Sequence, residues 1–133
     1  MKILIVDDES NVLKKLPLAF SKFFPEAIVD TAWCFTKAEE LLKDTVYDII
    51  LLDGMLSEHR TDPWQHAFGC YLIEPIRNSL SCKAKIIMIS TDEKMRKEGL
   101  EIGADLAISK KYFFCDGNVI NSLDENFEVQ KGL

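Results

Sequence analysis

The chain has 133 residues, with 16 Lys and Arg against 22 Asp and Glu for a formal charge of −6, and 47% of it is hydrophobic. That apolar share suits a single domain over residues 1–133 with a core of its own, and only 6 Gly and 4 Pro exclude a fibrous or disordered chain. The negative balance argues against direct binding to nucleic acid or anionic membrane, since both need clustered Lys and Arg.

The N-terminus MKILIVDDES has an apolar stretch that ends in acids, with no small-residue cleavage site, so it reads as a first strand and not as a signal peptide. A cytoplasmic protein is expected. Ser10 is a candidate N-cap for a first helix carrying Val12, Leu13, Leu16 and Phe20 at helical spacing, and Pro17 predicts a kink or strained turn inside it. AIVDTA follows as a second strand, Thr36 to Lys43 as a second helix, and YDIILLD as a third strand. From Gly54 to Phe68 a long loop intervenes where connections usually run about two to six residues, and a third helix is predicted over Gly69 to Leu80, with Pro75 inside it. KIIMIS is the fourth strand, Asp92 to Ile102 a fourth helix stopped by Gly103, and DLAIS the fifth strand. Val119, Ile120, Leu123 and Phe127 suggest a loosely defined last helix. This βα alternation predicts an α/β fold, a doubly wound parallel sheet covered on both faces. No apolar run reaches bilayer length, and Cys34, Cys70, Cys82 and Cys115 form no CxxC pair, so four separate thiols in a reducing compartment are expected.

In an open parallel sheet, ligands sit beyond the carboxyl ends of the strands where the strand order reverses. Strand one ends in Asp7 and Asp8, strand three in Asp53, strand four in Ser90 and Thr91, and strand five runs directly into Lys110 and Lys111. Taken alone, the Asp pair and Asp53-Gly54 read equally well as solvated turns, Ser90 as a helix cap, and Lys110 as a surface residue. Their coincidence at the same ends of alternating strands points to a shared site. If the strand order is 2-1-3-4-5, strands one and three are neighbours and their carboxylates converge. Three such charges need a bound cation or a retained proton, and hard oxygen ligands suit Mg²⁺.

The motifs ILIVDDE, YDIILLD, IIMIS and GADLAISK, in that order over nearly the whole chain, resemble the receiver domains of bacterial two-component response regulators. The resemblance implies a flavodoxin-like (βα)5 sheet in the order 2-1-3-4-5, like that of the chemotaxis regulators. It implies Asp53 as phosphoacceptor, Asp7 and Asp8 as metal-binding acids with the Met55 carbonyl as a further Mg²⁺ ligand, Ser90 as switch hydroxyl and Lys110 as the lysine that contacts the phosphoryl group. By the same resemblance the donor is a sensor histidine kinase or phosphotransfer protein, and the output is a switched contact with a downstream protein. The domain would catalyse only its own phosphorylation and slow dephosphorylation. Oligomeric state and cognate partners have no signature in the sequence.

Four positions depart from that family pattern. Ala107 stands where an aromatic switch residue is usual, Lys111 where Pro usually follows the lysine, Ser57 where Pro is usual four residues after the acceptor, and Met55 offers no side-chain polar group to orient a water, which implies slow loss of phosphate. The 54–68 insertion carries His59, Trp64, His66 and Phe68; with Cys70 the histidines lack a fourth ligand of suitable spacing for a metal, a lid or partner contact fits the aromatic residues better, and the plain alternative is a loop that packs on its own domain. The competing reading is a receiver-shaped interaction module that no longer depends on phosphate. A phosphatase of the haloacid dehalogenase type also uses a strand-end Asp with Mg²⁺, but its DxDx[TV] pattern is not matched by VDDES.

Overall fold

The computed structural model describes residues 1–54 and 68–109. Five parallel strands, β1 (Lys2–Val6), β2 (Ile28–Ala32), β3 (Ile49–Asp53), β4 (Lys85–Ser90) and β5 (Leu106–Ser109), form one sheet in the order β2-β1-β3-β4-β5. The expected α/β doubly wound sheet and its strand order are borne out. Ile3, Ile49 and Lys85 lie in register across the three central strands, so the apolar blocks of β1, β3 and β4 stack side by side. β3 is buried over its whole length, whereas the edge strand β5 is only partly covered, as expected where a sheet is enclosed on both faces but ends in solvent.

Alternate residues of each strand feed two separate cores. One face places Ile3, Ile5, Ile49, Leu51, Ile87 and Ile89 against Val12, Leu16 and Phe20 of α1 (Ser10–Phe23). The other packs Leu4, Val6, Ile50, Leu52, Ile86 and Met88 under α2 (Phe35–Asp44), a 3₁₀ segment (Phe68–Leu72), α3 (Ile73–Arg77) and α4 (Glu93–Ile102). No helix among the described residues is long and apolar enough to cross a membrane.

Local structure departs from expectation at four places. Ser10 is the first residue of α1, not its cap; Glu9 occupies the cap position and makes no side-chain cap bond. α1 runs through Pro17 unbroken. An interior proline costs about 3 kcal/mol, but the buried Val12, Leu16 and Phe20 on both sides of it contribute roughly 1.5–3 kcal/mol each, so packing keeps the helix continuous. The expected helix over Gly69–Leu80 divides into the 3₁₀ segment and the short α3 because the Pro75 ring excludes the carbonyl four residues earlier; proline breaks no helical hydrogen bond in a first turn, which is where α3 places it. Finally, α4 is capped by Asp92, whose Oδ1 accepts from the backbone N–H of Lys94 at 2.9 Å and of Met95 at 3.4 Å, and Ser90 lies one step further back. Gly103 ends α4 with φ 130°, a conformation side-chain-bearing residues avoid. The last predicted helix falls outside the described residues, as do Lys110, Lys111 and Cys115.

Candidate functional site

The carboxyl ends of β1 and β3 are adjacent, and this places the three acids. Asp7 follows directly on β1, where its backbone N–H donates to the Ala32 carbonyl of β2 at 3.0 Å and its Oδ1 accepts from the Glu9 N–H at 2.8 Å. That local turn fixes the side chain before any ligand is present. Asp53 is the last residue of β3, and the following Gly54 N–H donates to the Ile89 carbonyl of β4 at 2.9 Å, tying the strand end down on its other side. Asp7 and Asp53 are 3% and 5% exposed, and Asp8 is half-buried.

One carboxylate oxygen from each of Asp7, Asp8 and Asp53 lies within 4.8 Å of the others. At an effective dielectric of about 20, two charges at that spacing repel by on the order of 3 kcal/mol, too much to leave uncompensated in a chain of marginal stability. Opposite ligands of a six-coordinate Mg²⁺ are roughly 4 Å apart, so three hard oxygens at this spacing fit such an ion with small adjustment or through one bridging water. Among the described residues the donor set is wholly oxygen, which disfavours the softer metals.

Ser90 ends β4, one residue after Ile89, the register partner of Asp53. Ser90 is 2% exposed, and its hydroxyl accepts from the Asp92 N–H at 3.1 Å and donates to the Met95 sulfur at 3.5 Å. Met55 and Lys110, and with them Ser57, His59, Trp64 and His66, lie outside the described residues. Ala107 lies in register with Met88 and packs against the core shared with α4.

Sequence reasoning passed over two glycines here. A Cβ on Gly69 would collide with the Asp53 carbonyl oxygen, so the segment returning from the insertion lies directly on the backbone of the acid. A Cβ on Gly54 would stand 2.6 Å from the Met95 sulfur and 2.9 Å from the Ser90 Cβ. Gly directly after a strand-end Asp was a signal for close approach as much as for a turn. Of the titratable groups, the Cys70 thiol is pushed up by burial and then by the nearby Glu98 carboxylate, which makes it a poor nucleophile.

The family model for the response regulator receiver domain matches residues 3–116. The chain belongs to that family. Among solved structures, this receiver is similar to a CheY-like response regulator receiver domain protein from Methanospirillum hungatei JF-1, with TM-score 0.77 and 22% identity over 98% of this chain and 96% of that one. It is similar to a two-component response regulator from Clostridium difficile, with TM-score 0.78 and 19% identity over 100% and 99% of the two chains. A third similar structure is a response regulator from Burkholderia pseudomallei with a phosphorylated aspartic acid, calcium ion and citrate, with TM-score 0.67 and 18% identity over 96% and 74%. At these identities the likeness establishes the fold. No curated protein matches the sequence.

Proposed function

We propose that this receiver accepts a phosphoryl group on Asp53 from a phosphohistidine of a sensor histidine kinase or phosphotransfer protein, with Mg²⁺ as cofactor. The observation that carries the reading is the convergence of Asp7, Asp8 and Asp53 at the ends of two neighbouring strands. An Asp53 carboxylate oxygen attacks phosphorus in line, the P–N bond breaks with its electron pair leaving on the imidazole, and an acyl phosphate forms. Asp7, Asp8 and Asp53 would hold Mg²⁺, with the Met55 carbonyl as a further ligand; the ion supplies positive charge where the transferring oxygens gain negative charge. Asp7 is pre-oriented by the Glu9 N–H, so placing that ligand costs little reorganisation. Lys110 supplies the second cation and Ser90 the hydroxyl that answers the added charge. The chain acts as a switch that catalyses its own phosphorylation and slow dephosphorylation, with the cytoplasm as its compartment and a downstream protein as its target. The Burkholderia structure, of the same fold and described with a phosphorylated aspartic acid and a cation, supports this assignment by analogy.

Incubation with Mg²⁺ and acetyl phosphate, followed by intact-mass measurement, tests the assignment. One phosphoryl adduct is expected on the wild-type chain and none on Asp53→Asn or without Mg²⁺. An adduct that survives Asp53→Asn overturns the placement, and absence of any adduct favours a phosphate-independent interaction module.

A further inference from the structure

We infer that Met95 is a positioning residue that acts through Ser90: its sulfur accepts from the Ser90 hydroxyl and holds it in contact with α4, and release of that hydroxyl couples the carboxylate pocket to the first turn of α4. The inference rests on the reading of Asp53 as phosphoacceptor.

Ser90 is tied to α4 by three bonds. Its Oγ donates to Met95 Sδ at 3.5 Å and accepts from the Asp92 N–H at 3.1 Å, while its carbonyl accepts from Arg96 Nη1 at 2.8 Å. Asp92 in turn caps the helix through the N–H groups of Lys94 and Met95. Rotation of the Ser90 side chain toward the acids therefore breaks two of the three ties and disturbs the residue that caps α4.

The choice of sulfur sets the balance. The hydroxyl of a residue that is 2% exposed requires an acceptor, and a carbonyl or carboxylate would lock it in place. A thioether is a weak acceptor, so the hydroxyl is satisfied at rest yet gains by exchanging it for an anionic phosphoryl oxygen. Gly54 makes the contact possible, since any side chain there would displace the Met95 sulfur. The surroundings can also repack. Ala107 lies beside Met88, and Met88 in turn fills the space over Gly99, where a Cβ would stand 2.5 Å from its sulfur. Two unbranched thioethers between β4, β5 and α4 adapt their rotamers more readily than an aromatic ring would. Coupling through Met95 thus supplies a route to α4 that does not use an aromatic residue at position 107.

The test is a double-mutant cycle on the full chain, read by the initial rate of phosphoryl adduct formation with Mg²⁺ and acetyl phosphate and by hydrogen exchange in the first turn of α4. Met95→Leu keeps volume and apolarity but removes the acceptor. A net hydrogen bond of about 1 kcal/mol corresponds to about fivefold, and the weaker sulfur bond to about threefold. Expected is an approximately threefold faster rate in Met95→Leu, with faster exchange at residues 94 and 95 before any phosphate is added. In the Ser90→Ala background the same exchange at position 95 should change neither quantity. Equal rates and exchange in wild type and Met95→Leu, or an undiminished effect in the Ser90→Ala background, overturn the role of Met95 while leaving the phosphoacceptor intact. A wild-type chain that takes up no phosphoryl group overturns both readings.

Discussion

The two ends of the sheet treat their acids in opposite ways. At the amino end and along the edge beside it, each carboxylate has its own donor: Asp48 Oδ2 accepts from the Lys2 N–H at 2.8 Å, Asp105 Oδ2 from the Ile86 N–H at 2.8 Å and from Arg77 Nη2 at 2.9 Å, and Asp30 in β2 from the Tyr47 hydroxyl at 2.6 Å. At the carboxyl end, Asp7, Asp8 and Asp53 each bring a carboxylate oxygen within 4.8 Å of the others, and Asp7 also accepts from the Glu9 N–H. The same residue type is structural where each acid stands apart with its donor and chemical where three are gathered together. The amino end also carries the Arg77 clamp, whose guanidinium donates to the carbonyls of Cys82, Ala84 and Gly103. That clamp joins the turn before β4 to the turn before β5.

The sharpest way to break this contrast is at the clamp. Arg77→Met should lower stability by about 2–3 kcal/mol, a fall in melting temperature on the order of 10 °C, while the purified folded fraction still takes up a phosphoryl group. A loss of phosphoryl uptake with an unchanged melting temperature would contradict the division of roles. At the other end the sign reverses. Asp7→Asn keeps the oxygen that accepts from Glu9 but removes one of the three charges, so the metal-free protein should gain about 1–2 kcal/mol in denaturant unfolding while Mg²⁺ binds at least tenfold more weakly by titration calorimetry. A destabilised Asp7→Asn protein would show that the cluster is not under charge strain.

The smallest effect is expected at Tyr47. Burial, and then the Asp30 carboxylate, push its phenol above the ordinary tyrosine range, so the folded state favours the protonated form. The sign follows from linkage: the contribution is present in full below about pH 10 and is lost as pH rises past that value, because the unfolded chain releases the proton first. Tyr47→Phe should cost about 1 kcal/mol at neutral pH and flatten the decline in stability above pH 10, which chemical unfolding at a series of pH values would detect.

The strands were legible because β1, β3 and β4 are short apolar runs buried on both faces, and their order followed from the resemblance to receiver domains. The three acids were legible for the same reason, since strand order alone decides which strand ends meet. Helix termini were less so. Ser10 and Ser90 have the chemistry of caps, but Glu9 and Asp92 hold the positions, and which of several neighbouring polar residues caps a helix depends on the incoming chain direction. Pro17 misleads because its cost is local while the compensating burial is tertiary. The contacts of Ser90 could not be read at all: that its hydroxyl meets the Met95 sulfur depends on how α4 packs against the end of β4.

The chain leaves the sheet at Gly54 and comes back at Gly69, where a Cβ would stand 3.1 Å from the Gly54 Cα. Departure and return thus share one point. A segment anchored in this way can lengthen, shorten or change sequence without moving a strand, since closure entropy grows only slowly with length. The receiver can therefore acquire new recognition features beside Asp53 while the geometry of the acids stays fixed.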